Sequence, residues 1–388
     1  WILMLCVNSA QRRGVCQEMK FLTVRVIALL LACALPTGAW AVPQGPERER
    51  DLLQRVERAI DRHVLPTLTD FSKKAHALSD SLGAFCRVGD AESLRAVNAA
   101  FRATVLAWAR AEHLRFGPLR GGDVSMRINF WPDPRGVVFR QMRRVLQAEN
   151  ADLLDPAVLA KQSVAVQGLG SLEIILLRWA RKPPVDQGAG RPDYDCRLAK
   201  AIAGNVANVS DMVLQSWMRP GGWRSRLLNP GPDDAIYLNV DEVAGQITKS
   251  LLLGVALLRD QHVLLLFELA TGERRRIKLP FQRSGLSVAY IQESVKSLKQ
   301  LHEQFRLTDY ARGEVAWTKE WVGQTFGTLE RAVDELELPG DRPIAKTDVD
   351  ETALRRLRFY TNGLRQVIGR ALAPAAGLTI GFNELDGD

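Results

Sequence analysis

Beyond residue 41 the chain has no cysteine-rich zinc pattern, no Walker loop, no GxGxxG, no GxSxG and no HExxH. Each of these motifs uses fixed spacing to aim backbone N–H groups, a nucleophile or two imidazoles at one small target. Their joint absence counts against nucleotide-binding, serine-hydrolase and zincin chemistry. Histidine is scarce as well: none of His63, His76, His113, His262 and His302 has a second histidine at helical spacing, so no local imidazole chelate is visible. Glu112 and His113 are adjacent, and neighbours on a helix point in different directions, which makes them a poor chelating pair. Surface or helix-end positions are expected for most of the five.

Cysteine is equally sparse. From Met19 the sequence MKFLTVRVIALLLACALPTGAWA has a basic start, a short apolar run and a small-x-small end at Ala39-Trp40-Ala41. That is the layout of a secretory signal peptide, and the run is too short for a comfortable membrane span. Residues 1–41 are therefore expected to be upstream sequence and signal peptide, with the mature chain starting near Val42. Leu30-Leu31-Ala32-Cys33 offers a second route, in which Cys33 is acylated and forms a lipid anchor. Both routes place the folded part outside the cytoplasm. Cys6, Cys16 and Cys33 fall in the removed region, and the remaining Cys86 and Cys196 are expected to form one disulfide rather than two unrelated buried thiols.

Charge of one sign is only in mild excess. The net charge of +8 falls to +5 without residues 1–41, which hold four Lys/Arg and one Glu. Basic residues are scattered or paired with acids, as in ERERD at 47–51, and only Arg274-Arg275-Arg276 forms a tight run. A solvated loop is expected there, and no nucleic-acid partner. With 46% apolar and 25% charged residues over 388 positions, the balance is that of a globular protein of two ordinary domains or one large one.

Strand-like alternation is also rare. Apolar residues recur at three- and four-residue spacing in 50–83, 92–116, 156–181, 192–218, 286–306 and 350–372, so the expected fold class is all-α. Asp155-Pro156, and Asp90 with Glu92, look like helix starts. One small β-hairpin is expected in 262–285, pairing HVLLLFEL with RRRIKLPF around Thr271-Gly272. Breaks at 182–193 and 219–234 divide the chain into an N-terminal half, 42–218, and a C-terminal half, 235–388. Each half could close as a four-helix bundle, the two together making one domain.

Four separated stretches carry a resemblance: RFGPLRGG with RINFWPDPRG (115–136), SVAVQGLGSLEIILL (163–177), PFQRSGLSVAYI (280–291) and GFNELDGD (381–388). In this order they resemble the imelysin-like family of bacterial periplasmic proteins and lipoproteins, over nearly the whole mature chain. The resemblance implies an all-α fold of two bundle-like halves with a site between them. It also implies a role in iron-regulated uptake or a metallopeptidase activity. The family signature GxHxxE falls on Gly168 to Glu173, and here Gly170 occupies the histidine position. A His and a Glu three apart share a helix face and hold one cation together; a lone Glu173 needs distant partners to do so.

Glu173 remains the best single site candidate, because a carboxylate inside the apolar run QGLGSLEIILL must be paired, protonated or bound. A buried ion pair with Arg127 or Arg283 and a carboxylate in a cleft are both open readings. Gly168 and Gly170 suggest close packing by another segment. Trp131 and Asp133 either anchor their loop, with Asp133 capping a turn, or face a ligand. Ser284 reads as an N-cap or, with Arg283, as an anion contact. Asn383 and Asp386 belong to a solvated tail or to a lid supplying oxygen ligands. The expected function is an exported binding protein of metal uptake, with Glu173, Arg127, Asp133, Arg283 and Asn383 lining a cleft, iron or another divalent cation as a ligand through Glu173, and a membrane uptake protein as partner. A metal-dependent peptidase and a helical scaffold for a protein partner are the alternatives.

Overall fold

Pro46 at the first helical turn, with Glu47 and Glu49 at the positive end of the helix dipole, starts α1 (Pro46–Ala59). A π-helical turn at Ile60–Val64 carries the chain without a break into α2 (Leu65–Val88), which stops at Gly89 in the left-handed region, φ 73°. Asp90 then caps α3 (Ala91–Ala111) by accepting the Ser93 N–H at 2.7 Å. The computed structural model describes residues 45–121, 123–181, 193–275, 278–339 and 342–380. The signal segment, Cys33, Asn383 and Asp386 lie outside the described residues.

Short helices α4 (Val124–Ile128) and α5 (Val137–Ala148) lead to α6 (Leu169–Arg181) and to α7 (Tyr194–Met218), capped by Asp193. Asn239 caps α8 (Val240–Leu258), which runs through a second π turn, Arg259–Val263, into α9 (Leu264–Thr271). The last long helices are α10 (Ser287–Phe305), α11 (Thr318–Asp334) and α12 (Glu351–Val367). The fold is all-α, and among the described residues there is no strand beyond a single bridge residue at Ile344.

The expected hairpin is therefore corrected. HVLLLFEL is helical: Leu266, Phe267, Leu269 and Ala270 are buried, and Gly272 at φ 87° ends the helix rather than turning a hairpin. The helical run Val240–Thr271 is long and apolar enough to cross a membrane, yet most of it is buried inside the fold. It is a core helix.

Packing runs in a chain of neighbours. α2 lies against α3 and α7, α6 against α7, and α10 joins α3 to α8 and α11; α12 packs on α8, α9 and α11. α1 packs on α8 and α10, where buried Arg48 donates to Ala376 O at 2.7 and 3.0 Å and to Asp241 Oδ1 at 2.8 Å. The core is heavily aromatic at its centre, with Trp108, Trp217, Tyr290 and Phe71 all within 2% of complete burial. Cys86 of α2 and Cys196 of α7 are joined in a disulfide with Cα atoms 5.7 Å apart across 110 residues. In the chain-entropy description a closed loop of that length stabilises by about 5 kcal/mol, and measured gains are commonly about 2–4 kcal/mol. Reduction, or Cys86→Ser with Cys196→Ser, is expected to lower the denaturant midpoint accordingly; an unchanged midpoint would remove the bridge from the account.

The histidines also depart from expectation. His63, His113, His262 and His302 are all more than 90% buried, and only His76 sits at the surface, 2.7 Å from Asp211 Oδ2. For His63 and His113, helices distant in sequence bring partners, whereas the buried Nδ1 atoms of His262 and His302 have none among the described residues. His63 Nε2 lies 3.3 Å from His113 Nε2, whose ring also meets Ser250 Oγ and Ser297 Oγ at 3.2 Å. Two imidazoles in such contact share one proton as neutral donor and acceptor. Burial holds His63, His262 and His302 down at about 4, and His113 well below its usual value.

Candidate ligand cleft

The site is built on a locked turn between α9 and α10. Gln282 Oε1 accepts the Leu279 N–H at 3.2 Å, and Gln282 Nε2 donates to Arg342 O at 2.7 Å. Ser287 Oγ donates to Pro280 O at 2.9 Å, and Leu286 N to Phe281 O at 3.0 Å. Inside this turn the buried Phe281 has φ 52°, a conformation that a bulky aromatic adopts only when its surroundings enforce it. The result is that Ser284 presents two donors in one direction. Its N–H and Oγ–H reach Glu173 Oε1 at 3.0 and 2.8 Å.

Glu173 is held from the other side by α6. Gly168 precedes that helix, and a Cβ there would lie 2.4 Å from Ile128 O and 2.8 Å from Arg127 O. Both are backbone atoms, so the start of α6 sits directly on α4. Gly168→Ala is expected to cost roughly 3 kcal/mol, at the upper end for overpacking, read as a lower urea midpoint. A neutral substitution would show that α4 can move away. Behind the same contact Arg127 Nε donates to Gln167 Oε1 at 3.1 Å and its Nη2 to Asn205 Oδ1 at 3.4 Å, while Asn205 Nδ2 donates to Gln167 O at 3.2 Å.

Arg127 is therefore a fastening between α4 and α7 and does not pair with Glu173. Ser284 does not cap α10, which starts beyond Leu286; both its donors go to Glu173. That carboxylate is only 6% exposed. Burial pushes its pKa up, opposed by the two Ser284 bonds and by the nearby Arg283 charge, and the balance remains raised.

Glu173 lies in the wall of a cleft of about 480 Å³. Trp131, Asp133, Gly170 and Arg283 line it as well, with aromatic walls from Phe130, Phe139 and Phe281 and cations from Arg181, Lys278 and Arg342. The lining comes from both 129–181 and 278–343. Asp133 caps α5, its two oxygens accepting Val137 N at 2.7 Å and Val138 N at 3.0 Å. The Arg283 guanidinium lies over the Phe139 ring, 5.5 Å from its centre. Arg342 meets Asp348 with two contacts of 2.6 Å, which hold that carboxyl down at about 2.

Sequence reasoning missed Asn129, Phe281, Gln282, Lys278 and Arg181. Asn129 had a usable signal, since it precedes Phe130-Trp131 in the quoted RINFWPDPRG stretch. Asn129 Nδ2 and Trp131 Nε1 are buried donors without a hydrogen-bond partner. Each such donor costs about 1–3 kcal/mol while unmet.

A bare transition metal does not fit these residues. No group of three His, Cys, Asp or Glu suited to a metal occurs among the described residues. Glu173 Oε1 is occupied by Ser284, and Gly170 brings no imidazole. Metal-activated water needs about three protein ligands around an open position.

A helical fold with one buried carboxylate in the wall of an aromatic, cation-edged cleft defines an all-α, cleft-bearing bundle protein. The family model for imelysin, described as peptidase M75, matches residues 64–358, and the chain belongs to that family. Among solved structures it is similar to an imelysin-like protein from Psychrobacter arcticum 273-4, with 20% identity, TM-score 0.67, and 88% of this chain and 99% of that chain covered. It is also similar to a protein from Parabacteroides distasonis ATCC 8503, described provisionally as an iron-regulated protein A precursor, with 12% identity, TM-score 0.68, and coverage of 88% and 98%. At these identities the likeness speaks for the fold. No curated protein matches the chain.

Proposed function

We propose that this imelysin-family chain is an exported, periplasmic binding protein of iron or other metal uptake, whose halves 42–218 and 235–388 hold a ligand in the cleft around Glu173. One observation carries the reading: the buried carboxylate of Glu173 and the exposed cations Arg181, Lys278 and Arg283 converge on one aromatic-walled cleft of about 480 Å³. A cavity of that size takes a drug-sized molecule. The name iron-regulated protein A precursor, carried by a neighbour of the same fold, supports the uptake role and export. The signal-like segment before Val42 supports export too.

Hydrolysis is the less favoured use, because among the described residues no group of three His, Cys, Asp or Glu is placed to hold a metal-bound water. The test is a thermal-shift panel of divalent metals, ferric chelates and small organic anions on the parent chain and on Arg283→Ala. A ligand present at 100 times its Kd is expected to stabilise the parent by about 2.7 kcal/mol and the variant by less. Peptide hydrolysis with stoichiometric zinc would overturn the reading in favour of the peptidase. A fold that no small molecule stabilises would leave a scaffold for a protein partner.

A further inference from the structure

The charges and hydrogen-bonding groups of the cleft are unevenly committed. On the acceptor side, Asp133 spends both oxygens on the start of α5, and Glu173 Oε1 takes two donors from Ser284. On the donor side, Lys278, Arg283 and Arg181 line the cleft as exposed cations. A complementary ligand must therefore bring acceptors and negative charge. A bare cation brings neither.

The walls add a second requirement. Phe130, Trp131, Phe139 and Phe281 form an apolar surface suited to a ring, and Phe139 already stacks with the Arg283 guanidinium. Phe139 is 46% exposed, so its ring is accessible at the mouth of the cleft. Glu173 differs from its surroundings: its second oxygen, Oε2, suits a hydroxyl donor on the ligand. Ring, oxyanion and hydroxyl together describe one chemical class.

We infer that the cleft takes an aromatic hydroxycarboxylate, free or as its metal chelate, with the oxyanion toward Arg283 and Lys278 and the ring against Phe139 and Trp131. This rests on the reading of the cleft as a ligand site and names the ligand class. It also reconciles metal uptake with a site poor in metal ligands, since the metal would enter already wrapped by oxygen donors of the ligand.

The experiment is isothermal titration of the chain from Val42 onward with 2,3-dihydroxybenzoate, its ferric complex, benzoate, and Zn²⁺ or Fe²⁺ alone. The dihydroxy acid or its complex is expected to bind at one site per chain, more tightly than benzoate, and more weakly as salt is raised. Arg283→Ala is expected to weaken it roughly ten-fold, with Arg283→Lys restoring only part because a lysine does not stack as a guanidinium does. Arg283 is exposed, so these variants keep the fold, and circular dichroism verifies it. Binding of the bare cations without the organic anions would overturn the ligand class and leave the cleft as a ligand site. Anion binding that ignores Arg283→Ala and Lys278→Ala would overturn the placement. No binding of any probe, with no probe stabilising the chain to heat, would count against the ligand site itself.

Discussion

Gly170→His is expected to bind a divalent transition metal roughly 100-fold more tightly than the parent chain, a gain of about 2.8 kcal/mol. Residue 170 stands three before Glu173 on α6, so a histidine there shares the carboxylate's helix face. Space is available: a Cβ at Gly170 would meet Asn129 Oδ1 at 3.5 Å and Val138 Cγ1 at 4.0 Å, ordinary contacts. This contrasts with Gly168, where backbone atoms block any side chain. The imidazole would add the nitrogen ligand that Zn²⁺ or Ni²⁺ favours, with Glu173 beside it and water completing the shell. Gly170→Ala is the control and should gain nothing. Gly170→His combined with Glu173→Leu should lose most of the gain. Equal zinc affinity in parent and Gly170→His would contradict the placement of the two residues in one cleft.

Unfolding on mild acidification is the second large effect. His63, His262 and His302 sit at about 4 in the folded chain and His113 lower still, all through burial. Unfolded histidine titrates near 6.5. Between those values the unfolded chain binds protons that the folded chain refuses, so stability rises with pH there and is lost as pH falls. Each shift from 6.5 to about 4 corresponds to roughly 3 kcal/mol. Four buried histidines together give a limiting slope of roughly 5 kcal/mol per pH unit near pH 5. Glu173, whose pKa is raised, works in the opposite direction and offsets a minor part. Against a typical total of 5–15 kcal/mol, the chain should unfold within one or two pH units below 6. Denaturant titrations from pH 7.5 to 4.5 measure the slope, and a flat profile would mean that the histidines protonate in place.

Much of the helical frame was legible because amphipathic helices announce themselves. α3, α7, α10 and α12 follow the three- and four-residue spacing of their buried residues closely. α8 did not, since Val243 through Leu258 is buried on nearly every side and a helix buried all round has no polar stripe. Its continuation, α9, read as a strand because a short apolar run ending at Thr271-Gly272 carries no period of its own. α11 does have a stripe, Val322, Phe326, Leu329 and Val333, but Gly323 and Gly327 within it weaken a helix reading. The π turns holding His63 and His262 have no sequence signature, and the serines that satisfy His113 come from α8 and α10.

The cleft was legible in its centre and not in its partners. Glu173 stood out as a charge in an apolar run, and Gly168 as a close-packing position. Nothing local to Glu173 pointed to Ser284, 111 residues away, as its partner in place of an arginine. Arg127 looked like a cleft cation, yet Gln167 and Asn205 draw it into the scaffold. The unpartnered donor on Asn129 is visible only after folding, because satisfaction of a polar group is a property of everything packed around it.

The most direct test uses two side chains of the cleft wall, Asn129 and Trp131, as reporters. In an amide-edited NMR titration with 2,3-dihydroxybenzoate, the Asn129 side-chain N–H and the Trp131 indole N–H are expected to shift together and saturate at one equivalent. Both signals staying fixed while the chain binds that acid, or moving only with zinc, would contradict the cleft as the ligand site.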